Sequence, residues 1–292
     1  MYALITPARN EADSLAVLAS AVVGQTRPPS SWVIVDDGSS DATAEVAAQL
    51  ALQYPWIVLV QSERVEAGLR EGRRQGRDLL SFQEGLRAVP RPVELVAKLD
   101  ADVTLPPHYF ERLLAAFAAD PQLGMASGTR CELIGGRWRP RPLTRSTIAG
   151  QCRTYRLACW EAIQPLEPHM GWDGIDEARA VLAGWRVHPI PELYFRHHRP
   201  RGRRDGSAWR ARAAEGSAAH YMGYRPSYIL LRALWHARHE PSALAMLWGW
   251  SGAVVRREPP CSDAAARGQV RAMQAARHFG RRYREARGAT TG

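Results

Sequence analysis

VELVAKLDADV, Val93 to Val103, joins an apolar β-branched run to two carboxylates. Val93 to Leu99 has the composition of a buried strand. Side chains two apart on an extended chain point the same way, ~6.5 Å apart. Asp100 and Asp102 therefore present two acids on one face at the strand's carboxyl end. Ligands of open α/β sheets bind at that end, and one divalent cation with a nucleotide's ribose and phosphates fills such a space. The plain alternative is a turn in which both acids accept local backbone N–H groups. A lone D-x-D does not choose between the two, so the neighbouring strands have to.

Two earlier strands precede it, and the second also ends in acids. Tyr2 to Thr6 (YALIT) is a short apolar strand. PARNEADSL follows it, then a helical pattern from Leu15 to Val23 that Asn10 or Asp13 can cap. This loop has neither the G-x-G-x-x-G of dinucleotide folds nor a glycine-rich P-loop, which argues against a dehydrogenase. Trp32 to Val35 (WVIV) is the second strand and runs into Asp36-Asp37-Gly38-Ser39-Ser40-Asp41. Asp41 suits the N-cap of a helix from Ala44 to Gln53. Asp36 and Asp37 have no capping task, and a carboxylate there can accept the N–H of a uracil or guanine ring.

Trp56 to Gln61 is the third strand, and Arg64, Arg70, Arg73, Arg74 and Arg77 then stand among glycines. They read as a basic loop holding a diphosphate, or as a solvated helix face with pairs such as Glu66 with Arg70. Strand–helix alternation brings Thr6, Asp36, Asp37, Asp100 and Asp102 to one sheet edge.

The chain has 292 residues, 46% of them hydrophobic, enough to bury a full core as one large domain or two small ones. Its four cysteines, Cys131, Cys152, Cys159 and Cys261, lack C-x-x-C spacing, which fits a reducing compartment rather than a zinc ribbon or disulfide framework. The first strand begins almost at Met1, which predicts no signal peptide. No apolar run is long enough for a transmembrane helix. The net charge is +10, and Lys98 is the only lysine among 39 Lys and Arg residues. Such charge calls for an anionic partner: a nucleotide diphosphate, an anionic lipid surface or nucleic acid.

In the second half, His108 to Ala119 reads as a helix and Gly124 to Thr129 as a strand. Arg137 to Arg145 reads as a basic, proline-broken loop and Trp185 to Pro189 as an edge strand. Gly171-Trp172-Asp173-Gly174-Ile175-Asp176-Glu177 opens a helix running to Ala183. Early acids suit a capping box and the helix dipole, but Asp or Glu here also suits a general base for an acceptor hydroxyl. Trp172 offers a flat apolar wall for a sugar. In Tyr194-Phe195-Arg196-His197-His198, one imidazole can complete a metal shell begun by Asp102, with His197 favoured over His198. Arg201, Arg203, Arg204, Arg210 and Arg212 read as a basic loop that closes over a diphosphate or meets anionic lipid. Tyr228 to Ala237 and Ala243 to Val255 are aromatic-rich apolar segments, read as helices packed on the catalytic domain or as elements lying at a lipid interface. Ala264 to Ala286 reads as an Arg-rich helix.

Taken together, ITPARNEADSL, VIVDDGSSDAT and KLDADV resemble the family 2 inverting glycosyltransferases of the GT-A fold. GWDGIDEARAVLAGWRV resembles that family's acidic acceptor-site motif, and LYFRHHRPRG and YMGYRPSYILLRAL its later segments in bacterial members. The resemblance implies an α/β fold with a mostly parallel, Rossmann-like sheet flanked by helices, followed by a C-terminal helical extension. It implies that Thr6, Pro7, Arg9, Glu11, Asp37, Arg70 and Asp100 bind the nucleotide, Thr6 and Asp37 at the base and Asp100 at the ribose. Asp102 would hold Mn or Mg. Asp173 would be the catalytic base, with Asp176 and Glu177 as rivals because Trp172 stands where the family has Glu in its Glu-Asp pair.

The expectation is a metal-dependent inverting glycosyltransferase, cytoplasmic or peripheral on the inner face of the membrane. It moves sugar from a nucleoside-diphosphate sugar to a glycan or lipid-linked acceptor, with no nucleic acid partner. Residues 1–105 would form the nucleotide-sugar half, 106–198 the acceptor half and 199–292 the basic loop and helical extension. A sugar-phosphate nucleotidyltransferase and a basic binding protein are the rival readings.

Overall fold

A computed structural model describes residues 1–62, 72, 75–141, 147–198 and 206–275. The chain forms a single curled α/β sheet. Strands β1 (Tyr2–Ala8), β2 (Ser31–Asp36), β3 (Ile57–Gln61) and β4 (Leu95–Leu99) run parallel in the order β3-β2-β1-β4. Beyond β4 the sheet continues through β8 (Cys152–Arg156), β6 (Leu123–Ile134), β9 (Arg186–His197) and the short β5 (Val103–Thr104). Strand β8 lies antiparallel to both β4 and β6, while β9 is parallel to β6. Every residue of β2 and β4 is buried, as expected of strands covered on both faces.

Alternation divides the core in two. Leu4, Trp32, Ile34 and Leu99 face α1 (Ala12–Val23), α2 (Thr43–Gln53) and α4 (Tyr109–Ala119). Ala3, Ile5, Val33, Val35 and Val96 face α3 (Arg77–Arg87), α5 (Leu157–Ala162) and α6 (Trp172–Leu182). The helix α10 (Ala264–Met273) closes over this second layer.

The rest of the extension is α7 (Ala208–Tyr221), α8 (Pro226–Ala237) and α9 (Ala245–Val255), with a small core of Ala219, Ile229, Ala233, Ala243 and Met246. Helices α7 and α9 cross so closely that a Cβ on Gly249 would lie 1.8 Å from the Ala213 carbonyl oxygen. Only glycine permits that approach.

Several local expectations change. Arg137–Arg141 is a strand, β7, paired antiparallel with the outer part of β6; Pro140 is tolerated because β7 is an edge. Strand β9 runs on to His197; its first part, through Ile190, pairs with β6 alone as an edge does, and only Arg196 and His197 at its end also pair with β5. Asp41 reaches further than its own helix, accepting from the amides of Thr43 (3.0 Å) and of Ala12 (3.3 Å) at the start of α1. Among the described residues, no helix is long and apolar enough to cross a membrane.

Candidate active site

The carboxyl ends of β1, β2 and β4 meet where the strand order reverses about β1, the position at which open α/β sheets hold ligands. Ala8 pairs with Asp36 and Ile5 with Lys98, so the residues that follow each strand emerge side by side. A cleft of about 600 Å³ opens there. Pro7, Arg9, Asp37, Asp100 and Asp102 line it, together with His197, Trp172, Asp173 and Glu177.

Just beyond β2, Asp37 is buried and gripped at both oxygens by Arg77, from Nε to Oδ2 at 2.8 Å and from Nη2 to Oδ1 at 2.8 Å. This fork-on-fork pair fixes the carboxylate plane and raises the affinity of Arg77 for its proton. Arg9 carries buried Nε and Nη1 atoms with no hydrogen-bond partner among the described residues. Arginine donors left unsatisfied at a cleft wall are prepared for an anionic or carbonyl ligand.

The cleft floor is built around the single lysine. Lys98 is buried in β4, and its ammonium donates to Asp100 at 2.6 Å and lies 3.5 Å from Asp78 at the start of α3. Burial disfavours the charge, but Asp100 and Asp78 outweigh it and raise Lys98 above the ordinary lysine range. Burial and the nearby Asp102 push Asp100 up, against the pull of Lys98.

Asp102 is 7% exposed, and its Oδ2 stands 3.5 Å from His197 Nε2. His197 Nδ1 is buried and has no hydrogen-bond partner among the described residues. His198 turns away: its Nε2 meets Thr104 Oγ1 at 2.8 Å, and its ring packs edge-on to Trp138. Among the described residues no three His, Cys, Asp or Glu side chains converge on one point. Asp102 and His197 offer two ligands, which suits a Mg- or Mn-type ion that takes its other ligands from diphosphate oxygens and water.

The acids of α6 are sorted by Arg153 from β8. Its Nη1 donates to Asp176 at 2.6 Å and to the Asp173 carbonyl at 2.8 Å, and its Nη2 donates to Glu177 at 2.8 Å. Tyr155 Oη also donates to Asp176, at 2.7 Å, and the Ile148 amide donates to Glu177, at 3.0 Å. Burial outweighs Arg153 and pushes Asp176 up to about 6 and Glu177 up to about 8. The Asp173 side chain, by contrast, is exposed to the cleft beside Gly150. Trp172 is 4% exposed; its indole N–H faces Asp78 at 3.2 Å, and the Arg153 guanidinium lies over its ring at 5.9 Å. It forms part of the wall more than an open stacking platform.

The structure does not bring every expected residue to the cleft. Thr6 is fully buried, its hydroxyl accepting from the Trp32 indole at 2.9 Å. Glu11 is buried outside the cleft lining at the start of α1, its amide donating to Thr43 Oγ1. His198 is also outside the lining. Arg70 lies outside the described residues, as do Arg64, Arg73, Arg74, Arg201, Arg203 and Arg204. Sequence reasoning missed the tasks of Lys98, Arg77 and Arg153. A charged residue inside an apolar strand, as in VAKL, was the available signal for Lys98.

The family model described as Glycosyl transferase family 2 matches residues 3–170. The polyprenol monophosphomannose synthase of Mycolicibacterium smegmatis is 33% identical over 152 residues, 52% of this chain and 53% of that protein. The glycosyltransferase AglE of Haloferax volcanii is 29% identical over 136 residues, 46% of this chain and 38% of that one. The chain thus spans about half or less of the length of these relatives.

Among solved structures, a mannosyltransferase from Pyrobaculum calidifontis, in complex with GDP-Man and Mn2+, superposes with a TM-score of 0.58 at 16% identity, covering 99% of this chain and 84% of that one. S. aureus TarS, in complex with UDP-GlcNAc, gives 0.59 at 15%, covering 99% and 90%. These likenesses give the GT-A fold. With the family match over more than half its length, the chain belongs to glycosyl transferase family 2.

Proposed function

We propose that the protein transfers a sugar from a nucleoside-diphosphate sugar to a hydroxyl of a glycan or lipid-linked acceptor, with inversion at the anomeric carbon. The observation that carries this reading is the unequal fate of the three acids on α6. Asp176 and Glu177 are committed to Arg153, while Asp173 stands open to the cleft. A base must reach the acceptor hydroxyl, and Asp173 is the member of the trio free of the Arg153 carboxylate clamp. Attack from the Asp173 side, opposite the departing nucleotide, makes a single displacement.

Residues 1–105 supply the nucleotide end. Arg9 and the Arg77-fixed carboxylate of Asp37 contact the nucleotide, and Lys98 holds Asp100 toward the ribose. Asp102 and His197 are the residues that would hold a divalent Mn or Mg, which when bound neutralises charge on the departing diphosphate. Residues 106–198 supply Asp173 and the acceptor wall.

A peripheral membrane position is part of the proposal. Leu230, Leu231 and Leu234 of α8 are 46%, 48% and 50% exposed, and Trp248 of α9 is 80% exposed. Exposed Arg238, Arg256 and Arg257 follow the same two helices. An apolar face beside arginines, on a chain of net charge +10, complements an anionic lipid surface. The name of the M. smegmatis relative, a polyprenol monophosphomannose synthase, accords with a lipid-linked acceptor.

Thermal-shift titration with UDP- and GDP-sugars, with and without Mn, tests the donor reading; stabilisation by one of them that requires Mn is expected. Asp173→Asn should leave that stabilisation intact and cut turnover by about 10²–10⁴-fold. Turnover retained in Asp173→Asn would move the base elsewhere.

A further inference from the structure

The cleft does not end at Asp173 but continues between α7, α8 and α9, where Met222, Tyr224, Ile229, Arg232 and Met246 line it. This end is joined to the catalytic helix. A Cβ on Gly174, next to Asp173, would lie 2.4 Å from Met222 Sδ, and one on Gly171 would lie 3.3 Å from Met222 Cγ. Ile229 and Met246 are 2% and 1% exposed, so the wall here is apolar. Into this wall α8 projects a half-buried arginine, Arg232.

Unlike three other inward-facing arginines, Arg232 makes no direct carboxylate contact among the described residues. Arg77 holds Asp37, Arg153 holds Asp176 and Glu177, and Arg212 holds Glu215 and Glu240. Among the described residues no carboxylate lies within ion-pair distance of Arg232. Its hydrogen bond is a long one to Tyr224 Oη, 3.4 Å, and its guanidinium sits 6.0 Å from the Tyr224 ring. Glu215, which pairs with Arg212, also lines this part of the cleft and acts on Arg232 from beyond contact distance, so the guanidinium keeps its charge while no carboxylate among the described residues touches it. Its side chain lines the cleft, where an entering anion can meet it. Arg232, Tyr224 and the proposed base Asp173 line one continuous cleft, so one bound molecule can meet all three.

We propose that Arg232, with Tyr224, seats an anionic phosphate linkage of the acceptor. The acceptor's sugar hydroxyl lies toward Asp173, and its apolar chain runs along Met222, Ile229 and Met246. The assignment rests on the glycosyl-transfer reading above and specifies the acceptor class for that site: a sugar joined through phosphate to a hydrocarbon chain. The chemistry of the wall supports it, since Glu215 is held by Arg212, and a guanidinium beside apolar side chains matches an amphipathic anion better than a neutral glycan or a free inorganic ion. The same helix α8 turns Leu230, Leu231 and Leu234 to solvent, so a chain leaving this end of the cleft emerges beside an exposed apolar face.

The test titrates farnesyl phosphate, farnesol and inorganic phosphate into the full chain, in parallel with GDP and UDP in Mn. Farnesyl phosphate should bind at least about tenfold more tightly than either half-molecule, and Arg232→Met should remove about tenfold or more of that affinity. Arg232→Met should leave GDP and UDP binding unchanged, which also shows that the variant is folded. Tyr224→Phe, which deletes only the hydroxyl, should weaken farnesyl phosphate alone and serves if Arg232→Met does not fold.

Equal farnesyl phosphate affinity in Arg232→Met and the parent overturns the proposal. So does inorganic phosphate binding as tightly as farnesyl phosphate, or a loss in Arg232→Met that falls on GDP and UDP instead. Failure of the parent chain to bind any nucleotide in Mn would count against the glycosyl-transfer reading itself, separately from the role of Arg232.

Discussion

Replacing Arg153 with methionine tests whether charge holds the start of α6. The arginine side chain is 2% exposed and donates to Asp176, to Glu177 and to the Asp173 carbonyl. Methionine keeps much of the stem but leaves two carboxylates together in a dry interior. Removing one partner of a buried ion pair costs about 3–5 kcal/mol. Near pH 8 Asp176 is ionised and Glu177 about half so, which puts the expected loss toward the upper end of that range, about 5 kcal/mol. At roughly 2 °C per kcal/mol for a chain of this size, the melting temperature should fall by about 10 °C.

The pH dependence of that loss has a defined sign. Burial holds Asp176 at about 6 and Glu177 at about 8 even with the arginine in place. Their unfolded values lie near the usual carboxylate range, about 4. Groups that bind protons more tightly when folded favour the fold while protonated, and that contribution is lost as pH rises through the folded values. Without the cation both affinities rise further, so the variant should suffer most near pH 8 and recover toward the parent near pH 5. Urea unfolding at the two pH values measures both quantities. A loss under about 1 kcal/mol near pH 8, or an equal loss at both pH values, would refute the electrostatic account.

Other perturbations separate the remaining parts. Glu177→Gln keeps the contacts to Arg153 and Ile148 but removes the surplus charge of the cluster, so stability should fall less between about pH 6 and pH 8 than in the parent; urea midpoints across that range give the slopes. Lys98→Met should raise the KM for donor about tenfold or more, because Asp100 loses the charged donor that orients it, and initial rates against nucleotide-sugar concentration measure this. Trp248→Ala with Leu234→Asp should abolish co-sedimentation with anionic vesicles while leaving activity on a short-chain acceptor unchanged. The parent's vesicle binding should weaken as salt rises toward about 1 M.

The sheet edge was legible because its signals are local. Short apolar runs, YALIT and the acid-ended WVIVDD and VAKLDAD, mark strands whose carboxyl ends collect in one place, and the structure collects them. What escaped was everything that depends on distant partners. Asp176 and Glu177 looked like rivals of Asp173 because spacing along a helix does not say which face meets a buried arginine. Arg153 comes from a strand 23 residues away from Asp176, and only the antiparallel pairing of β8 with β4 delivers it there. Thr6 is a similar case. A residue at a strand end can point to either face, and the Trp32 indole claims its hydroxyl inside the core. Arg137 to Arg145 reads as a loop because prolines break it, yet Arg137–Arg141 is a strand, since an edge position needs no donor at Pro140.

The lone lysine has a practical outcome. Every other basic side chain of the protein is arginine or histidine, so acylating and reductive-alkylating reagents find one side-chain amine, and it lies at the floor of the cleft between Asp100 and Asp78. Its rate of modification becomes a built-in reporter of occupancy, readable by mass spectrometry without introducing a tag or a dye. By the same token, immobilisation through surface lysines is closed to this protein, and any amine coupling that succeeds at that side chain will have been made inside the cleft.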